Sequence, residues 1–176
     1  LNYGKAGNYE VDVLINNAGE NIINSISDIS INNWQQTLTV NLTAPFLLIQ
    51  KISPYMVQNK WGRIVNISSI YSIISRKGRA AYSASKAGLN GFTRTAALEY
   101  AEEGILVNSV CPGFVDTDLT RQNNTREQLA ELTNHVPLRK LGSPDEIANF
   151  VYFLGSEQNQ FITGQTIPID GGFTTG

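Results

Sequence analysis

Short continuous apolar runs alternate along this chain with stretches whose apolar positions recur every three or four residues. The runs at residues 11–15, 62–67, 105–110 and 165–169 have strand length and are rich in valine and isoleucine. They end at or just before turn-forming or polar clusters: Asn16-Asn17-Ala18-Gly19, Ser68-Ser69, Pro112-Gly113 and Asp170-Gly171-Gly172. Unbroken apolar strands are buried on both faces, as those of a parallel sheet are. Trp34, Leu38, Asn41, Leu42, Pro45, Leu48, Ile49 and Ile52 share helical spacing and predict a helix over residues 33–58, which Pro45 would kink or deprive of one hydrogen bond. A second helix is predicted over residues 81–101, ended by Gly104. Shorter helices are predicted over 125–132 and 144–154, the latter capped by Ser143 with Pro144 at its first position. Strands alternating with helices predict parallel βα units, hence an open α/β sheet covered on both faces, with ligands gathering beyond the carboxyl ends of the strands.

Composition narrows this picture without changing it. At 176 residues and 41% hydrophobic content, with no repeat or linker, the chain is expected to form a single domain. A net charge of -2 supplies no basic field for nucleic acid or an anionic membrane, and the apolar runs fall far short of the ~20 residues that span a bilayer. Neither partner is expected. Cys111 is the only cysteine, which excludes an intrachain disulfide and a cysteine metal cage; no metal site is expected, and a reducing cytoplasm suits the chain.

The sharpest chemical feature is Tyr82-Ser83-Ala84-Ser85-Lys86 at the start of the second predicted helix. One turn apart, the phenol and the ammonium share a face, and a nearby cation stabilises a phenolate and lowers its pKa. Such a pair can act as acid or base. Ser69, at the end of the preceding strand, can reach the same cleft. Asn41 lies mid-helix in an apolar face, an unfavourable place for a side chain that competes for backbone hydrogen bonds. Gly19, closing the first strand, permits close approach of a ligand to the backbone.

Asn16-Asn17-Ala18-Gly19, Asn41, Ser69, Tyr82-x-x-x-Lys86, Pro112-Gly113, Ile162-Thr163-Gly164-Gln165 and Asp170-Gly171-Gly172 occur in an order and spacing that resemble the short-chain dehydrogenase/reductase family, over residues 11–172. The resemblance implies a Rossmann-like doubly wound parallel sheet and a nicotinamide-dependent oxidoreductase that uses NAD or NADP on a small carbonyl or alcohol substrate. It also implies roles for the residues. Tyr82 would give a proton to the carbonyl oxygen, or take it back in reverse, and Ser69 would hold that oxygen. Lys86 would lower the pKa of Tyr82 and bond the nicotinamide ribose. Asn41 would interrupt its helix and hold a water that feeds protons through Lys86. Asn17, Ala18 and Gly19 would contact the adenosine-side ribose, and Pro112, Gly113, Val115 and Thr117 would fix the nicotinamide. The implied assembly is a homotetramer.

The family's opening strand, Gly-rich T-G-x-x-x-G-x-G turn and first βα units have no counterpart here, and Gly4-Lys5-Ala6-Gly7 does not replace them. On the order of 70 residues are implied to be missing, and with them the residue that separates NAD from NADP. The strand at 11–15 is then expected to leave an apolar edge unpaired. A catalytically dead fragment acting as an oligomerisation or binding module is the alternative. Within the family the chain is most similar to 3-oxoacyl-acyl-carrier-protein reductases, with similarity to sugar and polyol dehydrogenases. Lys60 and Glu103 stand where that first group carries arginines for its acidic carrier, and Glu103 would repel it. Arg76, Lys77 and Arg79 instead raise an anionic substrate, such as a phosphorylated or nucleotide-linked sugar. His135 and Cys111 are expected to be bystanders, as are the glycosylation sequons at Asn41, Asn66 and Asn123.

Overall fold

In the computed structural model, residues 10–122 and 124–175 are described; Gly4-Lys5-Ala6-Gly7 and Asn123 lie outside them. Four strands, β1 (Val13–Asn16), β2 (Gly62–Ile67), β3 (Ile105–Pro112) and β4 (Thr166–Ile169), form one parallel sheet in the order β1-β2-β3-β4. Leu14 pairs with Ile64, Val65 with Asn108, and Val110 with Ile167. All four predicted runs are therefore strands. β1 begins two residues later than its apolar run and ends at Asn16, although Asp12 still accepts a bond from the Arg63 amide (3.0 Å).

The predicted helix over 33–58 is real but divided. It consists of α1 (Ile31–Leu38), a π-helical turn at Thr39–Thr43, and α2 (Ala44–Asn59). Ser30 caps α1 through the Asn33 amide, and the Ala44 amide reaches back to the Thr39 carbonyl, five residues away. The break falls before Pro45, which sits harmlessly in the first turn of α2, where a missing N–H costs nothing. Helix α3 (Ala80–Tyr100) passes through one 3-10 turn to Gly104. There the left-handed φ of 72° and the Lys60 carbonyl oxygen, 2.3 Å from where a Cβ would stand, admit only glycine. Helices α4 (Asp118–Gln122), α5 (Arg126–His135) and α6 (Pro144–Gly155) follow β3. Reciprocal capping boxes, Thr125 with Gln128 and Ser143 with Glu146, start α5 and α6. The five residues of α4 are too few to show a period and were not predicted.

Alternation along the strands divides the core. Ile64, Ile105 and Val107 pack on one face with Ile49 and Met56 of α2 and Ala96 and Ala97 of α3. Val65 and Val110 pack on the other with Val151 and Leu154 of α6. The sheet is thus covered on both faces, and its carboxyl ends open toward one side. β1 is less protected: Val13 and Ile15 remain 37% and 47% exposed. No helix among the described residues is long and apolar enough to cross a membrane.

Candidate active site

The carboxyl ends of β1, β2 and β3 meet the first turns of α3, and the predicted tyrosine, lysine and serine come together there. Lys86, 3% exposed, donates from Nζ to the Ile67 carbonyl (2.7 Å), while the Ser68 hydroxyl bonds the Lys86 carbonyl (3.2 Å). This double tie fixes α3 against the end of β2. The ammonium stands 5.8 Å from the Tyr82 ring centroid. Ser69 opens the 3-10 turn Ile70–Ser72, accepting from the Tyr71 amide (3.1 Å), and its hydroxyl is near enough to the Tyr82 phenol to favour the phenolate.

Burial governs both ionisable groups. It pushes the Tyr82 phenol up, opposed by the Ser69 hydroxyl and the positive charge of Arg79. It pushes Lys86 down to about 8, opposed by the Cys111 thiol. Arg79, one turn earlier, is thus a cation that favours the phenolate, beside the Lys86 to which the sequence assigned that effect. The ammonium lies over the ring face, and burial favours the neutral form of Tyr82.

Asn41 is fully buried within the π-helical turn. Its Nδ2 donates to the Glu20 carbonyl (2.9 Å) and to Ser85 Oγ (3.0 Å), and its Oδ1 accepts from the Glu20 amide (2.9 Å). Ser85 in turn bonds the Tyr82 carbonyl (2.7 Å). The interrupted helix thus clamps the loop after β1 to the start of α3. The wider turn aims one amide inward without an apolar neighbour having to accommodate it. Asn41 Oδ1 and Lys86 Nζ both face Gly19, each 3.4 Å from where a Cβ there would stand.

Asn17, Ala18 and Gly19 are exposed at the end of β1, while the preceding Asn16 is buried and bonds Asn66 Oδ1 (2.7 Å), leaving its own Oδ1 unpartnered. Across the opening, Pro112 ends β3 and Gly113 donates to the Ile169 carbonyl (2.9 Å), so close to Asp170 that a Cβ would fall 2.7 Å from its Cα. Val115 bridges to Gly142, and the Thr117 hydroxyl caps α4 by accepting from the Thr120 amide (3.2 Å). An exposed backbone edge at Gly19, a buried lysine beside it and a tight turn at Pro112-Gly113 fit a nicotinamide laid across the strand ends.

The sequence did not single out the aromatic wall. Tyr71 packs edge-on to Tyr82 (6.4 Å) and to Phe114 (6.5 Å), which meets Phe173 (5.0 Å). Both positions were legible only as neighbours of known motif residues, Tyr71 just after Ser69 and Phe114 just after Gly113. Ser85 was visible inside the tyrosine motif and Asn41 as a misplaced polar residue, but the bond between them was not. His135 lies on α5 and lines a cleft of about 310 Å³ together with Tyr71, Arg76 and Phe114. Cys111 is fully buried. Asn66, also buried, bonds Thr93 (2.9 Å), and Lys60 forms an ion pair with Glu103.

A parallel α/β sheet with a tyrosine, a buried lysine and a serine at its strand ends defines a Rossmann-like oxidoreductase site. A family model described as enoyl-(acyl carrier protein) reductase matches residues 5–174. The chain is 42% identical over 164 residues to a 3-oxoacyl-acyl-carrier-protein reductase of Buchnera aphidicola, covering 93% of this chain and 67% of that protein. It is 43% identical over 162 residues to the corresponding reductase of Aquifex aeolicus, covering 92% and 65%. Among solved structures, a gluconate 5-dehydrogenase of Burkholderia cenocepacia in complex with NADP and tartrate superposes with a TM-score of 0.90 at 30% identity, over 94% of this chain and 65% of that one. A 4-hydroxyisoleucine dehydrogenase complexed with NADH gives 0.91 at 36%, over 95% and 70%. The chain belongs to the short-chain dehydrogenase/reductase family, whose members are NAD(P)-dependent oxidoreductases. It spans about two thirds of the length of these relatives.

Proposed function

We propose that this protein interconverts a carbonyl compound and a secondary alcohol, with Tyr82 as the acid-base, and the observation that carries the reading is the convergence of Ser69, Tyr82 and Lys86 at one strand end. NAD or NADP, when bound, supplies or accepts the hydride at the carbonyl carbon. Lys86, Tyr82, Asn17, Ala18 and Gly19 on one side, and Pro112, Gly113, Val115 and Thr117 on the other, would hold it. Tyr82, kept neutral by burial, donates its proton to the carbonyl oxygen and withdraws it in the reverse direction. Ser69 donates a hydrogen bond to the same oxygen and stabilises its developing charge. Lys86, poised near 8, passes protons toward Tyr82, and Asn41 Oδ1 orders a water beside it.

The substrate is a small molecule. The acyl-carrier relatives act on a thioester carried by a protein, but here the charge of Lys60 is neutralised by Glu103, so this region offers an acidic carrier no clear cation. Phe46, Leu47 and Leu48 on α2 and Leu98 on α3 are exposed, which supports a homotetramer built through these helices in a single-domain, cytoplasmic enzyme. The same site geometry disfavours the reading as an inert binding module, which has no need of a buried lysine. Titration with NADH and NADPH, followed by nicotinamide fluorescence, tests the reading: saturable binding that weakens at least tenfold in Lys86→Ala is expected, and binding indifferent to that change contradicts it.

A further inference from the structure

Resting on that reading, the geometry points to a substrate that carries its own oxyanion, a carboxylate or phosphate, held by Arg76 and Arg79 a few bonds from the carbonyl that faces Ser69 and Tyr82. Arg76 lines the 310 Å³ cleft, and together with Arg79 it lines a smaller adjoining hollow; Tyr71 and Phe114 wall both. Arg79 lies 5.6 Å over the Tyr71 ring, and Tyr71 stands 6.4 Å from Tyr82, so an anion on Arg79 is within a short molecule's length of the phenol.

Three observations mark the pair as an anion site rather than a solvated face. Among the described residues neither arginine forms an ion pair, although Lys60, Arg121 and Lys140 each do. The Nε of Arg79 is buried with no hydrogen-bond partner while Arg79 lines the smaller hollow, so its charge is poorly compensated and an oxyanion bound there would offset it. The two guanidinium groups also stand close enough for Arg76 to disfavour the charge on Arg79, a repulsion that an anion between them would cancel. Among the described residues Glu131 is the one carboxylate lining the larger cleft, where it balances Arg76 alone, whereas the smaller hollow is lined by both arginines and no carboxylate. Lys77 lines neither hollow, so the sequence cluster of three cations reduces to two.

The test measures nicotinamide oxidation with two matched pairs: acetoacetate against methyl acetoacetate, and dihydroxyacetone phosphate against dihydroxyacetone. The charged member of at least one pair is expected to be preferred tenfold or more in kcat/KM, and the pair that shows it identifies carboxylate or phosphate. In Arg76→Gln, at an exposed position, that preference is expected to fall to within about twofold through KM. Equal or better turnover of both neutral members, or a preference unchanged in Arg76→Gln and in Arg79→Lys, overturns the inference while leaving the oxidoreductase reading standing. Absence of turnover with all four compounds overturns it together with that reading.

Discussion

Lys86 carries its ammonium where water reaches almost none of it, and among the described residues its one hydrogen-bond acceptor is the Ile67 carbonyl. Its pKa falls from 10.5 to about 8, so the unfolded chain holds that proton more tightly than the folded one. The cost to stability is full below pH 8, shrinks between 8 and 10.5 and vanishes above, and is on the order of 3 kcal/mol. A lysine 13Cε resonance that is lost in Lys86→Arg is therefore expected to titrate near pH 8, and a midpoint above 10 would refute the burial argument. Ser69 reaches both the Tyr71 amide and the Tyr82 phenol. Replacing it with alanine is expected to lower kcat about 100-fold or more without altering the circular dichroism spectrum, as loss of one oxyanion-stabilising donor does.

The helices and strands were largely legible because their apolar periods are strong, and the π-helical turn shows where that legibility ends. Helical spacing passed straight through Asn41 and implied one helix, while the family resemblance implied the interruption at Asn41 that the structure has; tertiary bonds to Glu20 and Ser85, which no local pattern records, enforce it. Asn41→Leu keeps the volume and removes those bonds, leaving the Glu20 backbone unsatisfied. A loss of roughly 1–3 kcal/mol in urea unfolding is expected, and a neutral change would show that the clamp is not needed. The turn after β3 is equally exacting. Gly113→Ala drives a methyl group against the Asp170 backbone and is expected to cost about 1–3 kcal/mol. Pro112-Gly113 was visible as a motif, but the reason for its glycine, contact with a strand some fifty residues later, was not.

For the whole molecule, the parallel order and the two covered faces followed from the alternation of strands and helices, while the aromatic wall and the inward placement of Arg76 and Arg79 required the assembled fold. At the β1 end, pairing among the described residues runs only to β2, and Val13 and Ile15 stay partly exposed. Amides of β1 in this 176-residue chain are expected to exchange with deuterium ahead of those in β2 and β3; equal protection would mean that the edge is covered. The most direct measurement of the central claim uses a reduced nicotinamide carrying deuterium at both C4 positions and a ketone, with mass spectrometry of the alcohol formed. Deuterium on the carbinol carbon, with the rate lowered at least 100-fold in a folded Tyr82→Phe variant, is the predicted result. An alcohol free of deuterium, or a Tyr82→Phe variant as fast as the native protein, would contradict it.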